Sequence, residues 1–208
     1  MATPQFLSKA VLSLDDDVEV CALLEHLLWP HRVIGVAHAY VALELIAREA
    51  FDLFILDVRL PDMDGLELCR RIRRDDPNVP VIICSGAATP ADELAAMRAG
   101  ASAYYAKPFE PESFQAGVER LLYAADDRNR VAEALVRQVM DDFALATAFA
   151  SVPDDDESAT FPLEQCAYRR FIEAGGTRAH FLRTWPTMVE KRPVAAPSVH
   201  AIPRVAGG

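Results

Sequence analysis

The stretch "LFILDVRLPDMDG", residues 53–65, places a carboxylate, Asp57, directly after four apolar residues and just before a turn. A short apolar run that is followed by Pro61 and Gly65 predicts a buried strand ending near Asp57. A carboxylate is unfavourable in an apolar environment unless it has a partner. The position of Asp57 at the end of a buried strand therefore predicts that other polar groups meet it there.

Short apolar runs alternate with segments of helical period from Lys9 to residue 124. The predicted strands are 10–14, 32–36, 52–56, 79–84 and 103–106, and the predicted helices are 18–29, 39–49, 65–74, 90–100 and 111–124. Strands that are apolar on both faces and separated by helices are typical of a parallel sheet covered on both sides. The sequence thus predicts an α/β fold with a doubly wound five-stranded parallel sheet. In such a sheet the functional site lies at the carboxyl ends of the strands.

The composition excludes several classes of protein. With 51% hydrophobic and 25% charged residues in 208, the chain has a globular profile. Its four cysteines form no CxxC pair, which disfavours a metal site or disulfide framework. No apolar run reaches the roughly 20 residues of a membrane span, so we expect a cytoplasmic protein without a membrane partner. The net charge is −10, and only residues 158–208, with 3 acids and 7 bases, have the sign to approach phosphates.

Polar residues follow four of the five predicted strands, at Asp15–Asp17, Asp57, Ser85 and Lys107. Singly, each has a structural explanation: a helix cap, a turn, a hydroxyl bonded to the backbone or a solvated lysine. Together they favour a site, because the carboxyl ends of parallel strands meet at one edge. Clustered carboxylates imply a divalent cation, and Mg²⁺ takes one or two carboxylates. A central carboxylate could then accept a phosphoryl group, with its oxygens held by lysine and hydroxyl.

Residues 9–124 resemble the receiver domain of bacterial two-component response regulators. The resemblance rests on four motifs: the acids of "VLSLDDD", the acceptor in "FILDVRLPDMDG", the hydroxyl in "VIICSG", and the aromatic and lysine in "GASAYYAKPF". It implies a flavodoxin-like sheet with strand order 2-1-3-4-5. It also implies a phosphoacceptor switch, in a two-component system or phosphorelay, that performs only self-phosphotransfer and autodephosphorylation and is not an enzyme with an external substrate.

The resemblance also implies a role for each matching residue. Asp57 would be the phosphoacceptor, assisted by Lys107 and Ser85, and Ser85 and Tyr104 would form the switch. Magnesium would be bound by Asp15, Asp16, Asp57 and the backbone carbonyl of Arg59. The peptide bond before Pro108 would be cis, and the phosphoryl donor would be a histidine kinase or phosphotransfer protein.

The chain beyond the receiver region, 1–124, is predicted to be a helical C-terminal extension. An amphipathic helix at 125–150 carries apolar residues at 131, 135, 139 and 143, with Val136 and Met140 beside them. An acidic linker follows at 151–161, then a small helical region at 162–192, with helices at 162–174 and 177–190, and a flexible tail at 193–208. The helix at 126–150 could continue the fifth helix and pair with a second copy, or fold back on its own receiver. Asp126-Asp127 slightly favours a break.

Two interpretations of the last 50 residues remain open. The apolar residues Phe161, Leu163, Phe171, Phe181, Leu182 and Trp185 favour a small helical pack for protein interaction or dimerisation. The alternative is a DNA-binding transcriptional regulator, because "RRFIEAGGTRAHFLRTW" faintly resembles a Fis-type helix-turn-helix and carries several arginines. Trp185-Pro186 interrupts the place of the recognition helix. We therefore expect the protein-interaction role.

Overall fold

Five parallel strands form one sheet, in the order β2-β1-β3-β4-β5. The strands are β1 (Ala10–Leu14), β2 (Arg32–Val36), β3 (Leu53–Asp57), β4 (Val81–Ser85) and β5 (Ala103–Ala106). The helices are α1 (Val18–Leu27), α2 (Ala39–Arg48), α3 (Gly65–Asp75), α4 (Pro90–Ala99), α5 (Pro111–Ala150), α6 (Thr160–Glu173) and α7 (Arg178–Glu190). This computed structural model describes residues 8–86, 89–150 and 160–190. Its strand order and parallel pairing confirm the predicted doubly wound fold.

The alternation of side chains along β3 shows why its sequence is apolar throughout. Leu53 and Ile55 pack in the layer formed with α1 and α5, whereas Phe54 and Leu56 pack in the layer formed with α2, α3 and α4. Because both faces of the strand are covered, every residue of β3 is buried, including Asp57, its last. The strand therefore delivers a buried carboxylate to the carboxyl edge of the sheet.

The turn after β3 is shaped by Asp64 and Gly65. The Asp64 side chain caps α3 by accepting the backbone N–H groups of Leu66 and Glu67. A Cβ on Gly65 would lie 2.0 Å from the carbonyl oxygen of Asp57, so only glycine fits where α3 begins. The Asp-Gly pair thus holds the start of α3 tightly against the end of β3.

Helix α5 runs without a break for 40 residues, from Pro111 to Ala150. The expected break at Asp126-Asp127 is therefore wrong, and the predicted fifth helix and the helix at 126–150 are one element. Asp126 does not cap a new helix, because its carboxylate pairs with Lys9 at the start of β1. Ala125, Asn129 and Ala132 continue the buried face of the helix past this point.

The last half of α5 forms a second core with α6 and α7. Its buried residues are Ala132, Val136, Met140, Ala167, Phe171, Phe181, Trp185 and Met188. Of the predicted wide face of this helix, Val136 and Met140 are buried, whereas the prediction is wrong for Val131 and Leu135, which are exposed. Leu182, expected in this pack, is also exposed. The side chains of Phe161 and Leu163 and the predicted tail at 193–208 lie outside the described residues.

The turn between α6 and α7 contains Gly175 and Gly176, which lie between the helices expected at 162–174 and 177–190. Gly175 adopts a φ of +92°, and the N–H of Gly176 donates to the carbonyl oxygen of Phe171. Helix α6 begins at Thr160, inside the segment expected to be the acidic linker, whose residues 151–159 lie outside the described part. Pro186 lies inside α7 and does not end it, contrary to the expected interruption.

The C-terminal unit, defined here as α6 and α7, folds back onto the amino-terminal edge of the sheet. Arg183 pairs with Asp52, which directly precedes β3, at 2.5 Å. The backbone N–H of Arg178 donates to Asp76, which follows α3, at 2.7 Å. Of the two expected arrangements for the helix at 126–150, the structure shows the continuation of the fifth helix, and it is α7 rather than this helix that folds back onto the receiver.

Phe171→Ala should destabilise the C-terminal unit by about 3 to 5 kcal/mol, because it removes a fully buried ring from a small core. The measurement is urea unfolding followed by Trp185 fluorescence in a Trp29→Phe background, which leaves only the buried tryptophan. Leu182→Ala, on the exposed side of α7, is the matched control and should cost under about 0.5 kcal/mol. Equal costs for the two variants would contradict the packing.

Candidate functional site

Strand register brings the expected site residues to one edge of the sheet. Leu14 of β1 is level with Leu56 of β3, so Asp15 and Asp57, the next residue on each strand, emerge side by side. Asp57 is level with Cys84, and Ser85 is level with Ala106, the residue before Lys107. The predicted meeting of four strand ends is thus present.

Lys107 is the centre of the charged cluster. Its Nζ donates to Oδ1 of Asp57 at 2.6 Å and to Oδ2 of Asp15 at 2.5 Å. Asp15 and Asp57 are only 4% and 8% exposed, so the ammonium neutralises two carboxylates that water barely reaches. The backbone N–H of Arg59 donates to the second oxygen of Asp57 at 2.6 Å. The carboxylate of Asp57 is therefore fixed in orientation.

The pKa values of this cluster are set by burial and by the ion pairs. Burial raises the pKa of Asp15, against the opposing effect of the hydrogen bond from Lys107. Burial lowers the pKa of Lys107, but the two carboxylates outweigh it and raise that pKa overall. Lys107 consequently stays protonated at neutral pH and remains a cation at the centre of the site.

The three consecutive aspartates have different environments. Asp15 is buried at the ion pair, Asp17 caps α1 by accepting the N–H of Glu19, and Asp16 is exposed. The structure thus brings together Asp15, Asp57 and Lys107 and leaves Asp16 at the solvent-facing rim.

Ser85 and Tyr104 belong to the other face of the sheet. Tyr104 is half-buried against the layer of α2, α3 and α4, and it lines a 250 Å³ cleft with residues of α4. Tyr105 packs in the opposite layer, edge-on to Phe114. Ser85 is buried at the end of β4. Tyr104, rather than Tyr105, is therefore the aromatic residue beside α4.

The charged cluster supplies some of the ligands that a magnesium ion needs. Within the ranges 8–86, 89–150 and 160–190, no three acidic, histidine or cysteine side chains are arranged to hold a metal. Mg²⁺ nevertheless needs only one or two carboxylates, since it keeps several waters. Two buried carboxylates at one solvent-facing edge supply that number. The donor set is compatible with a hard divalent cation.

Several residues that shape the protein were not anticipated from the sequence. Asp62 caps α2 by accepting the N–H groups of Ala39 and Tyr40, and Asp52 and Asp76 hold the C-terminal unit. Asp62 follows a proline within a turn motif, which is a recognisable capping signal, although its partner lies 23 residues away.

The cis peptide bond expected before Pro108 is present, and a second one precedes Pro30. No helix within the described ranges has the length and apolarity needed to cross a lipid bilayer.

The chain belongs to the response regulator receiver family, whose sequence profile, described as response regulator receiver domain, matches residues 11–119. Receiver domains are typically phosphoacceptor switches rather than enzymes. One relative is the transcriptional regulatory protein ZraR of Escherichia coli K12, 32% identical over 114 residues. The match covers 54% of this chain and 26% of ZraR. This chain thus spans about a quarter of the length of that curated relative, and the match lies in the receiver region.

Solved structures of response regulators share the fold of this chain. The receiver domain of DrrB, in a form described as BeF3-activated, superposes with a TM-score of 0.54 at 32% identity, covering 56% of this chain and 99% of that one. NtrX from Brucella abortus superposes with a TM-score of 0.58 at 28% identity, covering 63% of this chain and 31% of that one. Each of these similarities covers less than two thirds of this chain.

Lys107→Met should destabilise the protein by about 2 kcal/mol at pH 7, because it leaves two buried carboxylates without their cation. Loss of the ion pair raises the pKa of Asp15 further, so the folded variant binds a proton more strongly than the unfolded chain does. The deficit should therefore be small near pH 4 and grow as the pH rises. Urea unfolding at a series of pH values measures it.

Lys9→Met is the matched control for this prediction, since it removes a lysine ion pair from the opposite edge of the sheet. Its partner Asp126 is 40% exposed and can be rehydrated, so the cost should stay under about 1 kcal/mol. A Lys107→Met deficit that does not depend on pH would show that the buried carboxylates are not its cause.

Proposed function

We propose that the protein is a response regulator that accepts a phosphoryl group on Asp57. One observation carries this proposal: Asp57 ends a buried strand at the carboxyl edge of the sheet and lies within 2.6 Å of the Lys107 ammonium. A buried, oriented carboxylate beside a fixed cation is the arrangement that a phosphoryl acceptor needs.

The chemistry follows from the groups present. A carboxylate oxygen of Asp57 would attack the phosphorus of a phosphohistidine, forming a P–O bond while the P–N bond to the donor imidazole breaks. Lys107 would then pair with a phosphoryl oxygen, and the Ser85 hydroxyl would donate to another. Lys107 already contacts Asp57, and the Ser85 hydroxyl would turn toward the phosphoryl group from the end of the neighbouring strand β4.

Magnesium is the cofactor that we propose for this step. Asp57 and Asp15 would supply carboxylate oxygens, Asp16 would join from the exposed rim, and Arg59 would contribute its backbone carbonyl. The bound ion would neutralise charge that develops on the phosphoryl oxygens during transfer. The support is the donor set described above, with two buried carboxylates and one exposed one at the ends of the adjacent strands β1 and β3.

The switch that we propose consists of Ser85 and Tyr104. The new phosphoryl dianion would draw the Ser85 hydroxyl toward it, and Tyr104 would follow into the space beside α4. The half-buried position of Tyr104 at the cleft against α4 supports this role. The altered surface of α4 and β5 would carry the signal.

A histidine kinase or phosphotransfer protein is the proposed phosphoryl donor. Helix α1 begins beside the acidic rim with Val18, an apolar residue that is 76% exposed. An exposed apolar side chain at this place suits a partner that must bring its phosphohistidine to the adjacent rim. A homodimer of this chain stays a prediction. The exposed Val131 and Leu135 on α5 offer a surface at which two copies could meet.

We propose protein interaction, not DNA binding, as the role of the C-terminal unit. Two of its basic groups contact the receiver, since the Arg183 guanidinium pairs with Asp52 and the Arg178 guanidinium donates to the carbonyl oxygen of Ile46. The amino end of α7, which a helix-turn-helix would present to the major groove, is thereby turned to the receiver. DNA binding is the alternative, and ZraR is named as a transcriptional regulatory protein.

Acetyl phosphate with Mg²⁺ should phosphorylate the wild-type protein once per chain, which intact mass spectrometry detects as one added phosphoryl group. Asp57→Asn should abolish the labelling, and chelation of Mg²⁺ should reduce it at least about tenfold. Asp127→Asn, an exposed acid of α5, is the control and should label like wild type. Undiminished labelling of Asp57→Asn would refute the assignment.

Binding to a fluorescent mixed-sequence DNA duplex tests the alternative role. We expect no anisotropy change at 20 mM salt, because the engaged arginines leave no complete basic face on the C-terminal unit. Affinity that falls steeply with added salt, and that falls further in Arg169→Ala/Arg170→Ala, would instead establish phosphate contacts and the DNA-binding role.

A further inference from the structure

Two large aromatic side chains are exposed beside the seam between α1 and α5, near the amino-terminal edge of the sheet. Trp29, just after α1, is 77% exposed, and Tyr123 of α5 is 65% exposed. Neither ring belongs to the three hydrophobic clusters of the described residues. Single apolar residues on a surface are normal, but a pair of exposed rings at one seam marks a binding surface.

The two rings line adjoining hollows of one groove. The first hollow, of 620 Å³, lies between Trp29 and Gln115. The second, of 410 Å³, is lined by Pro30, Glu119 and Tyr123. Trp29 and Pro30 are consecutive, and Gln115 and Glu119 are one helical turn apart, so the hollows are continuous along α5. The groove is about 12 Å long, because its eight residue steps on α5 rise by about 1.5 Å each.

The groove combines aromatic walls with acidic side chains. Glu25 lines the first hollow and Glu119 the second, where Arg120 is also present. Aromatic-lined grooves bind extended proline-rich segments, because a polyproline II segment is preformed and loses little conformational entropy on binding. Acidic side chains beside such a groove favour a segment that carries basic residues. The chemistry of the groove therefore suits a basic segment that contains prolines.

Residues 191–208 of this chain, which lie outside the described residues, have the matching composition. Their sequence is KRPVAAPSVHAIPRVAGG, with three prolines, three Lys or Arg residues and no acid. This charge of +3 is complementary to that of residues 1–124, whose 19 acids and 11 bases give −8. A polyproline II helix has three residues per turn, so Pro197 and Pro203 would lie on one face of it.

Helix α7 brings the start of this segment within reach of the groove. Arg183 pairs with Asp52, which is level with Arg32 of β2 at a distance of two strand spacings, or about 10 Å. Pro30 is two residues before Arg32. From Arg183 to Glu190, α7 adds about 10 Å in one direction or the other. The 18 residues after Glu190 can span about 56 Å as polyproline II, which exceeds the gap in either case.

We propose that the groove between α1 and α5, at Trp29 and Tyr123, binds residues 191–208 of the same chain. The face that carries Pro197 and Pro203 lies on the two rings, and the basic residues lie near the glutamates of the groove. The groove is at the opposite edge of the sheet from the charged cluster, so this inference does not depend on phosphoryl transfer. Proline-rich basic segments of other proteins must compete with residues 191–208 for the same surface.

Fluorine NMR of the full chain tests this proposal, because its two tryptophans, Trp29 and Trp185, differ in exposure. With 5-fluorotryptophan incorporated, the change in fluorine chemical shift between H₂O and D₂O measures contact with solvent. Pro197→Ala/Pro203→Ala should increase this change at Trp29 at least about twofold, because the rings lose their cover. The buried Trp185 is the internal reference and should not change. Pro193→Ala/Val199→Ala, on another face of the segment, is the matched control and should behave like wild type.

The possible occupants of the groove give different results. Equal solvent effects at Trp29 in wild type and in Pro197→Ala/Pro203→Ala overturn the proposal, and so does a wild-type effect as large as that of free 5-fluorotryptophan. Binding within one chain does not depend on protein concentration. A solvent effect that grows on dilution would therefore show that a second copy supplies the segment, and it overturns binding within the same chain.

Glu25→Lys tests the groove from its own side, because it reverses one charge and leaves both rings in place. The solvent effect at Trp29 should rise toward that of the proline variant. Glu19→Lys is the matched control, since it makes the same charge change at the other end of α1, and it should behave like wild type. No effect of Glu25→Lys, or equal effects of the two variants, overturns the charge complementarity on which the choice of this segment rests.

Discussion

The ion pairs of Lys107 with Asp15 and Asp57 are the interaction on which the carboxyl edge of the sheet depends. Two carboxylates that are almost inaccessible to water repel each other and lose hydration, and one ammonium offsets both penalties. The same ammonium is the group that would meet an incoming phosphoryl oxygen. Stability and chemistry at this edge therefore draw on a single cation, and any change there alters both.

The sequence was sufficient to predict the sheet and most of the candidate site, because both follow from local pattern. Short apolar runs between amphipathic segments predict buried parallel strands, and the polar residue after each run marks the edge. The alternation of side chains along β1 also explains why Asp15 is buried and Asp16 is exposed, although only the structure made this difference evident. Asp15, Asp57 and Lys107 continue the parity of Val11, Ile55 and Tyr105, all on the side of α1 and α5.

The C-terminal half was less predictable, because its two apolar stripes on α5 are equivalent in the sequence. Val131 and Leu135 are larger than Ala132, yet Ala132 is buried and they are exposed. The buried stripe is selected by Phe171 and Phe181, which need a small residue opposite them, and hydrophobic period alone does not contain that information. The hydrogen bonds of Asn129 with Thr177 are likewise invisible to an apolar pattern.

An acid lies at each end of the β3 segment: Asp52 directly before the strand, toward the C-terminal unit, and Asp57 at its last position, toward the charged pocket. Five residue steps of about 3.3 Å separate them by about 17 Å, where two unit charges interact by only about 1 kcal/mol at an effective dielectric constant of about 20. Each acid also has its own cation, Arg183 or Lys107, which reduces the direct interaction further. A field between the two ends is therefore too weak to link them. The contacts that do connect the surroundings of the two ends are hydrogen bonds between loops, such as those of Arg73 with the carbonyl oxygens of Val79, before β4, and Gly100, before β5.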